Sequence, residues 1–277
     1  MGLINSILNL AGLLLWLGWR DVTSGSLLQN STTPLVRTLR QAGTSVMARR
    51  KYLGGLAGLL LLRALIYGWI GPAVNWTPKL DLVAIVIPFR SEFFGRMLLF
   101  SLCSFGAMLA GFYLSLLLIS LVNRSVPDTE PLQKFVRSHL GYFERLPWLV
   151  KLLLPLAVAT LLRLGLSPLL GWWGILPSAV TVGAAVKQGL LIGLGALLVW
   201  KHVIATFLLL YFLNSYVYFG GNPLWNFVNL TTRRLLAPLR WLPLRFGRMD
   251  LAPVVGIVLV FLLAELAGYW LPKIYPA

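Results

Sequence analysis

The sequence predicts an all-α polytopic membrane protein of about six transmembrane helices, arranged as three helical hairpins. Three observations predict it. The 277 residues are 58% hydrophobic and only 12% charged, whereas soluble domains carry about 25% charged residues. The apolar residues gather into six long runs. The bases gather into the connectors between alternate runs, as the positive-inside rule requires. The net charge of +16 on a soluble module would suggest nucleic acid. Here it is spread between apolar runs, so anionic lipid at the basic loops and other membrane protein subunits are the expected partners, with no nucleic acid.

The six runs cover roughly 3–19, 52–71, 97–121, 149–173, 189–219 and 252–272. A hydrocarbon core of about 30 Å needs about 20 helical residues. The first run is short. The fifth is long and interrupted by Lys201 and His202, so it should tilt or extend beyond the membrane. The stretch "LDLVAIVIPF" at 80–89 is too short to span as a helix and reads as an interfacial or re-entrant piece. The N-terminus lacks the charged n-region and small-residue cleavage site of a signal peptide. "MGLINS" matches a myristoylation pattern, but an apolar helix follows directly, and the match reads as chance.

Charge orients the chain. The connector 20–51 holds Arg20, Arg37, Arg40, Arg49, Arg50 and Lys51 against Asp21. The connector 122–148 holds Arg124, Lys134, Arg137 and Arg145 against Asp128, Glu130 and Glu144. The connector 220–251 holds Arg233, Arg234, Arg240, Arg245 and Arg248 against Asp250. The alternate side is poorer, with Lys79, Arg90 and Arg96 in one loop, Lys187 in another and Lys273 at the end. The expectation is three cytoplasmic hairpin loops with both termini outside.

The three basic connectors share a phrase: "TPLVRTLR" (33–40), "EPLQKFVR" (130–137) and "NPLWNFVN" (222–229). The runs that follow end alike, in "LIYGWIGP", "LLGWWGILP" and "LAGYWLP". An interfacial aromatic belt and a helix-ending proline account for that ending. The Pro-Leu phrase favours duplication over convergence, giving hairpins 1–72, 97–177 and 189–272 as parallel repeats. The corresponding divisions are 1–96, a degenerate hairpin plus connector, then 97–188 and 189–277.

The best-preserved connector, "NPLWNFVNLTTRRLLAPLRWLPLRFGRMDLAP", spans 222–253. Asn222 before Pro223 reads as an N-cap and first helical residue. Leu224, Phe227, Val228, Thr231, Leu235 and Leu236 approximate a 3.6-residue period. Trp225, Asn226, Asn229, Arg233 and Arg234 fall largely elsewhere. The expectation is a short amphipathic helix on the membrane, its bases toward lipid phosphates. Pro238 and Pro243 end it. Asp250 as N-cap, with Pro253 in the first turn, should start the last helix. The candidate lipid or partner surface is Asn222, Pro223, Leu224, Trp225, Phe227, Arg233, Arg234, Arg240 and Asp250. A purely structural anchor explains the same features.

"NPL", then "FVNLTTRRLLAPLR", then "DLAPVVGIVLV" resembles the hallmark repeat of the YggT family, small integral membrane proteins of bacteria and plastids. The resemblance is good over roughly 205–272. It weakens over 108–177, where the Pro-Leu entry stays and the Asp-Leu-x-Pro is lost, and is poor over 1–72. Typical members resemble two such hairpins, and this chain carries a third in front. The resemblance implies a multi-pass protein of the bacterial cytoplasmic (inner) membrane without a settled biochemical activity. It implies association with osmotic tolerance and ion homeostasis, cell-division gene neighbourhoods or plastid cytochrome assembly.

Arg63, Arg163 and Glu265 fall near the middles of the second, fourth and sixth runs, and Lys201 interrupts the fifth. A charge at bilayer centre costs at least about 2.5–3.5 kcal/mol, so each should find a partner or a water-filled cavity. Glu265 is expected to pair with Arg63, Arg163 or Lys201. Such a pair locks helices together or belongs to an ion or proton path, and Lys201 could also snorkel. Gly54 with Gly58, and Gly189 with Gly193, form GxxxG pairs that let backbones approach.

No catalytic machinery is legible. Walker, dinucleotide, HExxH and CxxC motifs are absent from the sequence. The single cysteine, Cys103, lies in an apolar run, and His139 and His202 are far apart. No cofactor, no metal and no enzyme activity are expected. Two functional readings remain. One is a non-enzymatic accessory or assembly subunit of a membrane complex, acting through its helices and basic segments. The other is a component of ion transport or osmotic homeostasis that uses the intramembrane charges.

Overall fold

The computed structural model describes residues 2–24, 46–73, 76–81, 86–89, 91, 93–124, 131–172, 181–217, 222–239, 241, 245–246 and 249–274. Its helices are α1 (Gly2–Ser24), α2 (Val46–Ala73), α3 (Phe94–Val122), α4 (Pro131–Leu140), α5 (Trp148–Trp172), α6 (Val182–Leu197), α7 (Trp200–Tyr216), α8 (Pro223–Leu235) and α9 (Ala252–Trp270). Six segments are long and apolar enough to cross a membrane: Gly2–Arg20, Arg49–Pro72, Phe94–Val122, Trp148–Pro168, Val182–Tyr216 and Ala252–Trp270. They coincide with the six apolar runs. Their outward faces are greasy: Leu61, Leu62, Leu65 and Trp69 on α2, Leu161 and Leu162 on α5, and Val258, Leu262, Leu263 and Leu266 on α9 are all exposed. A surface of this kind suits lipid and not water.

The fifth run forms two helices. Backbone N–H groups of Leu198, Val199, Lys201 and His202 donate to the carbonyls three residues earlier, at 3.0–3.2 Å. This tightening separates α6 from α7 at Leu198–Val199. A straight 35-residue helix would be about 52 Å long, well beyond the hydrocarbon core, so a break is one way to fit the run.

The chain forms two compact units, residues 1–81 with 86–112, and residues 82–85 with 113–277. Helix α3 contributes to both. In the first unit α1 packs along α2. Leu56, Leu60 and Phe105 make the core there, with Leu15, Trp16 and Leu109 against them. The segment expected to be interfacial or re-entrant is an antiparallel hairpin. Strand β1 (Lys79–Asp81) pairs with β2 (Val86–Pro88), with Leu80 opposite Ile87. β-branched Val86 and Ile87 suit a strand. Phe89, buried after β2, meets Phe100 at a tilt of 58° with centroids 5.5 Å apart, and Tyr67 meets Trp76 edge-on at 5.0 Å. These rings fasten the hairpin to α2 and α3.

In the second unit the most extensive pairing is α5 with α6, followed by α7 with α9. Gly189 and Gly193 explain the first. A Cβ on Gly189 would lie 2.5 Å from the Thr160 Cα, and one on Gly193 would lie 2.6 Å from the Leu156 Cα. Only glycine permits that approach. Gly54 and Gly58 differ, since nothing lies within 4 Å of a Cβ at either. Thus the first and last expected hairpins contain packed helix pairs, whereas the chief packing partner of α5 is α6 and not α3.

The short helices α4 and α8 pack on each other, and α8 also packs on α7. Each begins at the proline of a Pro-Leu phrase. The third copy of that phrase, 33–40, lies outside the described residues. Gly141, at φ +55°, ends α4 in the left-handed conformation that favours glycine. A second small hairpin, β3 (Arg245–Phe246) with β4 (Met249–Asp250), precedes α9.

Candidate functional site

Helix α8 is built as its sequence requires. Asn222 is the N-cap and Pro223 the first helical residue, but the Asn222 side chain makes no capping bond. Its backbone carbonyl accepts from the N–H groups of Trp225 and Asn226, at 3.0 and 3.2 Å. Phe227, Val228, Thr231, Thr232 and Leu236 are buried. Asn123 Nδ2 donates to Thr231 Oγ1 at 2.7 Å, and Thr232 Oγ1 donates to the Phe207 carbonyl at 3.1 Å. The Phe207 and Phe227 rings meet at 6.3 Å.

The apolar face of α8 turns inward. Protein covers it. The reason is the pair of threonines, whose buried hydroxyls need hydrogen-bond partners that acyl chains cannot provide. Leu224 is exposed and Trp225 half-buried at the start of the helix. At the other end Arg234 Nη1 donates to the Val122 carbonyl at 3.3 Å. A cation there satisfies an orphan carbonyl and complements the helix dipole of α3. Arg233 is exposed. Arg240 lies outside the described residues.

Asp250 acts one residue earlier than expected. Leu251 is the N-cap of α9. The Asp250 carboxylate nevertheless accepts the Ala252 N–H at 3.0 Å, and Pro253 occupies the first turn. Beside α8 a cleft of about 420 Å³ is lined by Asn226, Asn229, Leu230, Arg233 and Arg234.

The intramembrane charges fall into three places. Lys201 Nζ and Glu265 Oε1 form an ion pair at 3.4 Å. The Glu265 side chain is 78% exposed and that of Lys201 21%. Lys201 also lies over the Phe261 ring at 5.8 Å. Arg163 meets no acid among the described residues: its Nε and Nη2 both donate to Gln188 Oε1, at 3.1 and 2.8 Å. Arg63, 1% exposed, donates Nη1 to Asn9 Oδ1 at 2.6 Å and Nη2 to Asn5 Oδ1. Both asparagines donate in turn to Ser104 Oγ, at 3.2 Å from Asn5 and 3.1 Å from Asn9. The guanidinium faces the rings of Phe100 at 5.4 Å and Tyr67 at 5.5 Å. Amide dipoles and aromatic faces hold this charge, as both favour a cation.

Sequence reasoning missed the partners. Asn5 and Asn9 are one helical turn apart, a polar stripe in an otherwise apolar run, and that spacing was the available signal. It also missed a cluster at the α3–α5 junction. Lys151 Nζ, in a side chain buried by protein, donates to Ser120 Oγ at 2.8 Å and lies 3.5 Å from Glu144 Oε2. Ser120 donates to Glu144, whose other oxygen lies 3.3 Å from Arg137 Nε. A serine beside a lysine can form a nucleophilic dyad. This serine is fully buried and its hydroxyl already donates to Glu144, so the group ties helices together. Among the described residues, no three His, Cys, Asp or Glu side chains gather where they could hold a metal ion. His139 lies beside the Phe135 carbonyl at 3.0 Å, and His202 meets Phe261 edge-on at 6.0 Å.

Compared with known proteins, the chain matches no family model, no curated protein and no solved structure.

Proposed function

We propose that this chain is a non-enzymatic, YggT-like multi-pass protein of the bacterial cytoplasmic membrane that serves as an accessory or assembly subunit of a membrane complex. The carrying observation is Glu265. It stands exposed on α9 among exposed Leu262, Leu263 and Leu266, inside a segment apolar enough to span. A carboxylate there is costly against acyl chains even when one oxygen meets a lysine. A partner helix bearing a hydrogen-bond donor would remove much of that cost and make the face specific.

The basic connectors support an orientation with 122–148 and 220–251 cytoplasmic and both termini outside. The shared Pro-Leu entries of α4 and α8 support an origin by duplication. A transport role would draw on the buried Arg63 cluster. That cluster is closed by asparagine, serine and aromatic side chains, which favours a structural role for it.

The test is gentle detergent extraction of the tagged chain with mass spectrometry of co-purifying proteins. A defined membrane partner, lost in Glu265→Leu but kept in Val182→Ala, supports the proposal. Recovery of a lone chain from its native membrane counts against it. Ion flux in liposomes that fails in Arg63→Met would favour transport instead.

A further inference from the structure

We propose that the cleft on α8 binds a phosphate-bearing anion, either an acidic phospholipid headgroup or a small soluble phosphate. Arg233, Arg234, Asn226 and Asn229 would supply its donors. Asn226, Asn229, Leu230 and Arg233 follow one another at spacings of three, one and three residues, which puts them on one helix face. That face lies away from the buried Phe227, Val228 and Thr231. The cleft's volume of about 420 Å³ is within the roughly 300–1,000 Å³ of small-molecule sites. Among the described residues, its lining holds two guanidinium groups, two carboxamides and one leucine, with no acid.

Two of these groups are already positioned. Arg234 is held by one N–H on the Val122 carbonyl, and a guanidinium carries five N–H donors in a rigid fork suited to phosphate. Asn229 Oδ1 accepts from Asn214 Nδ2 at 3.2 Å. With its oxygen so engaged, the Asn229 amide offers its NH₂, a donor that complements an anion. Arg233 completes the set from an exposed position, where an incoming phosphate can reach it. The helix itself does not cross the membrane, and follows directly on the spanning segment Val182–Tyr216. This inference does not depend on what covers Glu265.

The full chain, purified in a neutral detergent, is followed by thermal unfolding. It is titrated with dioctanoyl phosphatidylglycerol, the matching phosphatidylcholine and inorganic phosphate. Phosphatidylglycerol alone raising the melting temperature identifies a lipid headgroup site, and a rise with inorganic phosphate identifies a soluble-phosphate site. In either case Arg233→Gln should weaken the apparent affinity roughly tenfold, the loss of one charge-assisted contact. The quantity compared is the shift each ligand causes, relative to the unliganded melting temperature of the same variant. Lys187→Gln, which removes an exposed base from another helix, should bind like the unsubstituted chain. Equal response to phosphatidylglycerol and phosphatidylcholine with none to phosphate, or an Arg233→Gln titration that overlays the unsubstituted one, would overturn the proposal.

Discussion

Replacing Gly189 by alanine tests the packing that dominates the second unit. The new Cβ would sit 2.5 Å from the Thr160 Cα and 3.1 Å from both its Cβ and its Oγ1. Ordinary carbon contacts lie at about 3.5–4.0 Å, so the deficit is about 1 Å. The nearest obstacle is backbone, which no rotamer change can clear. Helices α5 and α6 must therefore part or shift, at about 1–3 kcal/mol for an overpacked site. Gly193→Ala meets the Leu156 Cα at 2.6 Å and the Pro155 carbonyl at 3.1 Å, and should cost as much. The double variant should cost less than the sum, because helices already parted by one methyl accommodate the next. Unfolding in mixed micelles of increasing sodium dodecyl sulfate, followed by fluorescence of the 11 tryptophans, measures the loss. Gly54→Ala and Gly58→Ala are the controls. Nothing lies within 4 Å of either new methyl, and alanine's helix preference over glycine predicts no loss. If Gly189→Ala proves as harmless as Gly58→Ala, the close approach of α5 and α6 is wrong.

Other outcomes follow from the same contacts. Arg63→Met should destabilise the first unit by about 2–4 kcal/mol, because two charge-assisted bonds are lost and the Asn5 and Asn9 oxygens are stranded, as measured by the same unfolding assay. Lys151→Met should cost about 1–3 kcal/mol, while the exposed Lys273→Met should cost almost nothing. In a Cys103→Ala background, single cysteines at 225 and 241 should react with impermeant maleimide only after the membrane is opened. A cysteine at 275 should react in intact cells, and the reverse pattern would invert the orientation. Glu265→Gln should not destabilise the isolated chain, since removing a carboxylate from a lipid-facing site offsets the lost contact with Lys201.

The spans were legible because run length against bilayer thickness is a strong signal, and each of the six candidate spans overlaps one apolar run, although the break inside the fifth was not foreseen. Faces were less legible. Gly54/Gly58 and Gly189/Gly193 have the same spacing, yet one pair lies open and the other admits a neighbouring backbone. Spacing along one helix carries no information about which helix comes to meet it. What covers the apolar face of α8 was not legible for a related reason. Its period of apolar residues is equally good for lipid and for protein, and only the partners of Thr231 and Thr232 decide between them. That Glu265 would pair was legible because it is the only acid within a spanning segment, but which of Arg63, Arg163 and Lys201 it meets was not. Amides far away in sequence satisfy Arg63 and Arg163. The hairpin 79–88 escaped because two three-residue strands are too short for periodicity to register.

The central claim is that the α9 face around Glu265 meets another membrane protein. Photo-crosslinking in native membranes, from an unnatural residue at 262 or 266, addresses it directly. The predicted result is a discrete protein adduct that Glu265→Leu abolishes, with no adduct from position 161 on α5. Labelling of lipid alone at 262 and 266 would contradict the claim.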